Sequence, residues 1–142
     1  MHKNIDEKIL TILKHDAKLS TGSIAKKTGV PTTTVHNRIK RMEKEGIIKR
    51  YEPVLDYTKL GQGIHAMIFI NAEHKTDQEQ LAKRLLQIPA IDHATIITGG
   101  FDMMIRARAG TIEELNTLIT KDLHKVPGIE KTQTMIVLKE ME

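Results

Sequence analysis

The stretch STGSIAKKTGVPTTTVHNRIKRMEKEGIIKR, Ser20 to Arg50, holds two short helical patterns on either side of a turn. Ser20 is a good N-cap, and Ile24 and Ala25 fall on the inward side of the helix it opens. Gly29 stands where such a helix ends, since glycine enters the left-handed region without a Cβ penalty. A second helix is predicted from near Thr32 to Gly46, with Val35, Ile39 and Met42 as its buried stripe. At about 100° per residue, the opposite face holds Thr33, Asn37, Lys40, Arg41 and Lys44. The strand-like Ile47-Ile48-Lys49-Arg50 follows. The whole has the shape of a helix-turn-helix with a wing.

Working outward, Ile5, Ile9, Ile12 and Leu13 place one apolar stripe on a helix from Ile5 to about His15, and the run from Met1 to Asp6 reads as its opening. Three helices with so few core positions bury little by themselves, so the wing and a partner subunit are expected to add apolar contact. Tyr57 to Gly63, with Gly61-Gln62-Gly63, reads as a connector. From Ile64 on, the pattern is β-α-β-β-α-β. The predicted strands are Ile64–Ala72, Ile91–Thr98, Met103–Ala109 and Ile129–Lys139. Capping boxes at Thr76-Asp-Gln-Glu79 and Thr111-Ile-Glu-Glu114 open the two helices. Leu81, Leu85 and Ile88 face inward on the first, and Ile112, Leu115, Leu118 and Ile119 on the second. Ile88-Pro89-Ala90-Ile91-Asp92 and Val126-Pro127-Gly128-Ile129-Glu130 form a weak internal repeat. Two such units folded together give a ferredoxin-like sandwich. The predicted fold is α+β: a winged helix-turn-helix over 1–51, a hinge strand over 52–63 and a ferredoxin-like βαββαβ domain over 64–142. Met67 and Phe69 make the first strand apolar on its second face as well, so a second subunit is expected to cover that face.

The charge is divided. Residues 1–60 hold 13 Lys/Arg against 7 Asp/Glu, while residues 61–142 hold 9 against 11. A polyanion partner would meet the first part. The absence of cysteine removes disulfides, thiolate zinc sites and cysteine nucleophiles. No apolar run approaches the ~20 residues of a membrane span and no signal peptide is visible, so a cytoplasmic protein with no membrane association is expected.

The chain resembles the Lrp/AsnC, or feast/famine, group of transcription regulators. The resemblance rests on Ile5-Asp6-Glu7-Lys8-Ile9-Leu10, on Asp16-Ala17-Lys18-Leu19-Ser20 and on Val35 through Ile48. It resumes at Thr98-Gly99-Gly100-Phe101-Asp102 and closes with Thr132-Gln133-Thr134-Met135-Ile136-Val137-Leu138. The order and spacing of these segments carry it. It implies a DNA-binding N-terminal domain and a ligand-sensing C-terminal domain that forms dimers, often tetramers or octamers. It also implies an amino-acid effector, bound between dimers, that shifts assembly or DNA affinity. Two departures concern the DNA-binding part. Ser23 replaces the usual Glu of a Ser-x-x-Glu capping box, and Pro31 replaces the usual Ser before the second helix, leaving Thr32 as its expected cap.

The residues expected to meet double-stranded DNA are Thr32, Thr33, Thr34, His36, Asn37, Arg38, Lys40, Arg41 and Lys44. Asn37 suits adenine, and the threonines suit a thymine methyl or a phosphate. His36 lies to the side, toward the backbone. Lys40, Arg41 and Lys44 suit phosphates, with Lys26, Lys27, Lys49 and Arg50 as further candidates. Arg38 lies between faces and suits a neighbouring carboxylate equally well. For an effector, the glycines of the Thr98-Gly99-Gly100-Phe101-Asp102 loop leave backbone N–H groups open to a carboxylate, and Asp102 suits an amino group. A plain hairpin turn closed by Asp102 accounts for the same residues. Thr132 and Thr134 are candidates for a polar wall supplied by a neighbouring chain.

The seven histidines are scattered and no His-Glu-x-x-His, P-loop or Gly-x-Ser-x-Gly occurs. Asp92-His93 invites a general-base reading, but strand alternation sends the two to opposite faces. No catalytic residue, metal or cofactor is expected. With so few aromatic residues, stacking on unpaired bases is not expected either. The leading reading is a homo-oligomeric, sequence-specific regulator that responds to an amino acid. The alternatives are an architectural DNA-wrapping protein with weak sequence preference and no effector, and a metabolite-binding module whose N-terminal domain docks protein.

Overall fold

A computed structural model describes residues 4–142. The chain divides into two compact units, Met1–Val54 and Leu55–Glu142. In the first, α1 spans Ile5–His15, α2 Thr21–Thr28 and α3 Thr32–Lys44. Asn4 caps α1 by accepting the Glu7 N–H at 2.8 Å; the helical reading of Met1–Lys3 lies outside the described residues. Ile9, Ile24, Ala25, Val35 and Met42 form the buried core, with Ile5, Ile12, Leu13, Leu19, Ile39 and Ile48 packed against it.

Local chemistry sets the turn. Ser20 Oγ accepts the Ser23 N–H at 3.1 Å and lies 2.9 Å from Ser23 Oγ, so a serine pair stands where the reciprocal glutamate bond would be. Gly29 ends α2 at φ 71°. The cap of α3 differs from expectation. Pro31 is the N-cap, without a side-chain hydrogen bond, and Thr32 is already the first helical residue. Proline fixes φ and suits a helix start, but its ring offers no acceptor. The wing also differs. Ile47–Arg50 form no strand, because no neighbouring segment pairs with their backbone. After Gly46, at φ 74°, the chain instead returns the Ile48 N–H to the Met42 carbonyl at 3.1 Å.

The second unit runs β1 Ile64–Ala72, α4 Gln78–Leu85, β2 Ile91–Ile96, β3 Met103–Ala109, α5 Ile112–Thr117 and β4 Ile129–Ile136. Between α5 and β4 the helix continues as a π-helical turn, Leu118–Asp122, and a 3₁₀ turn, Leu123–Lys125. The sheet order is β2-β3-β1-β4, antiparallel throughout, the ferredoxin-like arrangement that the strand and helix order predicts. Ala66, Ile68 and Ile70 of β1 and Met103, Ile105 and Ala107 of β3 pack with Leu81, Leu85, Leu115, Leu118 and Leu123 from the helical side.

Several details depart from the sequence reading. Asp77, not Thr76, caps α4, its Oδ1 accepting the Gln80 N–H at 3.1 Å; aspartate is the better acceptor of the two neighbours. Thr111 caps α5 as expected, but Glu114 reaches back to the Gly110 N–H rather than to the cap. Ile112 is exposed at the start of α5; the buried residues there are Leu115 of α5 and Leu118 of the π-helical turn. Both β2 and β4 stop short of Thr98 and Lys139. A bulge between Ile91 and His93 breaks the alternation at Asp92, whose carboxylate pairs with Arg106 at 2.7 Å. Among the described residues, no helix is long and apolar enough to cross a membrane.

Candidate nucleic-acid interface and sensing loop

Val35 and Met42, both fully buried, fix the rotation of α3. With these inward, Thr32, Thr33, His36, Asn37, Lys40 and Lys44 are exposed and Thr34 is half-buried. The side chains of Thr33, His36 and Asn37 make no hydrogen bond to their own chain among the described residues. Lys40 makes only a loose i,i+3 approach to Glu43, 3.9 Å. The first turn of α3 has no side-chain cap, and at such a helix N-terminus the dipole favours an anion. One face of one helix therefore offers three hydroxyls, an amide, an imidazole and two ammonium groups.

Two of the expected contacts are arranged otherwise. Arg38 Nη1 lies 3.3 Å from Asp6 Oδ1, and Arg41 bonds Asp6 Oδ2 while also approaching Glu45 at 3.5 Å. Asp6, on α1, thus holds two guanidinium groups of α3. The hydrogen bond from Arg41 holds the Asp6 carboxyl below the usual carboxylate range, with Arg38 adding to it against the effect of burial. Asp6 was not singled out from the sequence as a partner of α3. The pair is separated by 32 residues in the chain for Arg38 and 35 for Arg41, and no local pattern reports such a contact. In the segment expected as a wing, Arg50 pairs with Glu52 at 3.2 Å while Lys49 is exposed.

The loop between β2 and β3 closes with the Ile97 N–H on the Asp102 carbonyl and the Asp102 N–H on the Ile70 carbonyl, each 2.9 Å. Asp102 Oδ2 accepts the Ala72 N–H at 2.9 Å, so this carboxylate fastens the loop to the end of β1. The ring of Phe101 lies 5.4 Å from that of Phe69. Thr98, Gly99 and Gly100 stay exposed, and Gly99 sits at φ 123°, a region other residues avoid. Thr132 and Thr134 are not brought to this loop within one chain. They pair with Ile70 and Ile68 across β1, on the helix-facing side of the sheet. Thr132 there lines a groove of about 190 Å³ with Ile119, Leu123 and Val126.

Comparison with known proteins agrees with both halves. Residues 65–142 match the family described as the Lrp/AsnC ligand binding domain, and residues 3–49 match the winged helix-turn-helix DNA-binding family. The HTH-type transcriptional regulator FL11 of Pyrococcus furiosus is 38% identical over 136 residues, covering 96% of this chain and 89% of FL11. An uncharacterized HTH-type transcriptional regulator of Pyrococcus abyssi is 35% identical over 134 residues, 93% of this chain and 89% of its own length. Such relatives are regulators, not enzymes. Among solved structures, Escherichia coli AsnC superposes with a TM-score of 0.85 at 25% identity, over 99% of this chain and 94% of AsnC. A Neisseria meningitidis transcriptional regulator in complex with L-Met shares the fold with a TM-score of 0.91 at 22% identity, over 100% of this chain and 93% of its own. With a ligand-binding half and a helix-turn-helix half joined in this order, the chain belongs to the Lrp/AsnC family of transcription regulators.

Proposed function

We propose that the protein is a homo-oligomeric, cytoplasmic, sequence-specific DNA-binding regulator whose assembly or DNA affinity responds to an amino acid held by its C-terminal domain. The observation that carries the DNA part is the outward face of α3, where Asn37 and His36 project unengaged, and Lys40 with only a loose approach to Glu43, from a helix anchored by Val35 and Met42. Thr33 and Asn37 are assigned to base edges, Lys40 and Lys44 to phosphates, and Thr32, Thr34 and His36 to the flanking backbone. Arg38 and Arg41 join them only when Asp6 releases them.

The oligomer is supported by the outer face of the sheet. Met67 and Phe69 of β1, Met104 of β3 and Met135 of β4 share that face, and register places Phe69 beside Met104 and Met67 beside Met135. Such an apolar surface favours a second copy. The effector part is supported by the exposed Gly99-Gly100 backbone and by relatives of this fold solved with L-Met and L-Methionine. An effector acts only by preferring one assembly state over another.

Calorimetry of the full-length chain against each of the twenty amino acids, read beside its mass in solution, tests the sensor. Heat from at least one amino acid, with a change in mass or in DNA affinity, is expected. Absence of both removes the sensor and leaves DNA binding to stand alone. A preference below about tenfold for any selected site over random duplex favours an architectural role instead, since specific binders exceed it by orders of magnitude.

A further inference from the structure

Tyr57 to Gly63 reads from its composition as a connector, yet it is built as an ordered turn of the second unit. Asp56 Oδ1 accepts the Lys59 N–H at 3.3 Å. The Tyr57 carbonyl accepts the Leu60 N–H at 3.1 Å and the Gln62 N–H at 2.8 Å, and the Thr58 carbonyl accepts the Gly61 N–H at 3.1 Å. Gly61 stands at φ 75°. The glycines around this turn serve close packing. A Cβ on Gly110 would stand 2.6 Å from the Gly61 carbonyl oxygen, and one on Gly63 would stand 3.3 Å from Thr58 Oγ1. Gly110 is itself fixed, its N–H donated to the Glu114 carboxylate at 2.7 Å. The Arg108 guanidinium lies over the Tyr57 ring, 4.1 Å from its centroid. The turn therefore rests on the junction between β3 and α5, held by its own chain.

The residues just before it are built differently. Lys49 to Leu55 lie outside any helix or strand and make no backbone–backbone hydrogen bond among the described residues. Val54 is 89% exposed, and the division between the two units falls directly after it. Backbone with so few partners opens at the lowest cost. Slack between the units thus belongs to this segment and not to Gly61-Gln62-Gly63, although the glycines are the stronger flexibility signal in the sequence.

We propose that Tyr57–Gly63 is a strap clamped to the second unit at Gly110, that the joint between the units is confined to Lys49–Leu55, and that the clamp positions the DNA-binding unit for paired half-sites. The last part rests on the reading of the protein as an oligomer that binds DNA; the strap and the joint do not. While the clamp holds, seven residues, 49–55, tether the first unit. Release of the strap lengthens that tether to fifteen, 49–63. Once one DNA-binding unit of a dimer is bound, the effective concentration of the other at its half-site falls roughly as the −3/2 power of tether length, about threefold here. Gly61 and Gly110 are positioning residues, acting on DNA only through the tether.

Limited trypsin digestion of the full-length protein, read by mass spectrometry, tests the strap without DNA. Wild type is expected to be cut after Lys49 or Arg50 about tenfold faster, or more, than after Lys59, since cleavage follows the population of the opened backbone. Gly110→Ala is expected to raise cleavage after Lys59 to the rate seen at Arg50. Gly61→Pro cannot hold the positive φ and attacks the same contact from the other side, so the test stands if either variant fails to fold. Equal cutting after Arg50 and Lys59 in wild type overturns the strap, and resistance after both Lys49 and Arg50 overturns the joint. A protected Lys59 in both variants overturns the role of the Gly61–Gly110 contact. In a second arm, fluorescence anisotropy compares duplexes carrying one and two half-sites. Gly110→Ala is expected to lose about threefold on two half-sites and nothing on one. An equal change on both overturns the positioning role. Failure of wild type to bind any duplex defeats the DNA reading instead, and the digestion still decides the strap.

Discussion

Reversing two charges on α3 together, Lys40→Glu with Lys44→Glu, is expected to lower affinity for duplex DNA by about a hundredfold or more near 0.1 M salt and to flatten its salt dependence. Both ammonium groups lie on the exposed face, and neither is firmly paired within the chain. Each phosphate contact contributes roughly 0.9 to the slope of log affinity against log salt, so loss of both removes nearly two. The same assay carries an opposite arm. Asp6→Asn frees Arg38 and Arg41 from α1, so affinity is expected to rise severalfold and the slope to steepen. Acid does not substitute for this variant. The Asp6 carboxyl is held below its ordinary value, so the clamp is intact above that value and is lost only as pH falls through the lowered one. Fluorescence anisotropy on one duplex at several salt concentrations reads all three proteins. Equal slopes for wild type and the double reversal would remove α3 from the phosphate backbone.

The second large effect is on stability. Ile68 is fully buried at the centre of β1, between Ile105 of β3 and Thr134 of β4. Ile68→Ala is expected to destabilise the protein by about 2–5 kcal/mol, the sum of lost transfer energy and the cavity left behind. Ile112→Ala is expected to cost less than about 0.5 kcal/mol, because Ile112 is largely exposed on α5. Urea unfolding of both variants at matched protein concentration separates them. Similar midpoints would mean that the helix-facing side of the sheet is not the main core.

That pair of isoleucines shows where the sequence could be read and where it could not. Apolar periodicity placed α1 at Ile5–His15, and it placed Ile24, Val35 and Met42 inside, because burial on one helix face repeats at a fixed interval. Gly29 was legible because a helix end in the left-handed region favours glycine, and the order of strands because alternation and turn residues mark each one along the chain. Ile112 was not, since its spacing to Leu115 is that of a buried stripe, yet as the first residue of α5 it stays open to solvent. Thr76 and Asp77 are both competent caps; the Thr-x-x-Glu pattern pointed to Thr76, while Asp77, the better acceptor, caps α4 and Thr76 lies against Gly128. The bulge at Asp92 and the missing wing strand depend on which segments find backbone partners, a matter of tertiary structure. At the site, the outward residues of α3 followed from its apolar stripe. The hold of Asp6 on Arg38 and Arg41, and the bond from the Ala72 N–H to the Asp102 carboxylate, each join groups about 30 or more residues apart, beyond the reach of any local pattern.

Amine-selective modification of surface lysines, with and without a bound duplex, tests the central claim most directly. Lys40 and Lys44 are expected to lose reactivity in the complex, while Lys59, largely exposed in the second unit, keeps its own. If Lys40 and Lys44 stay as reactive with DNA bound as without it, α3 does not lie against the duplex and the account fails.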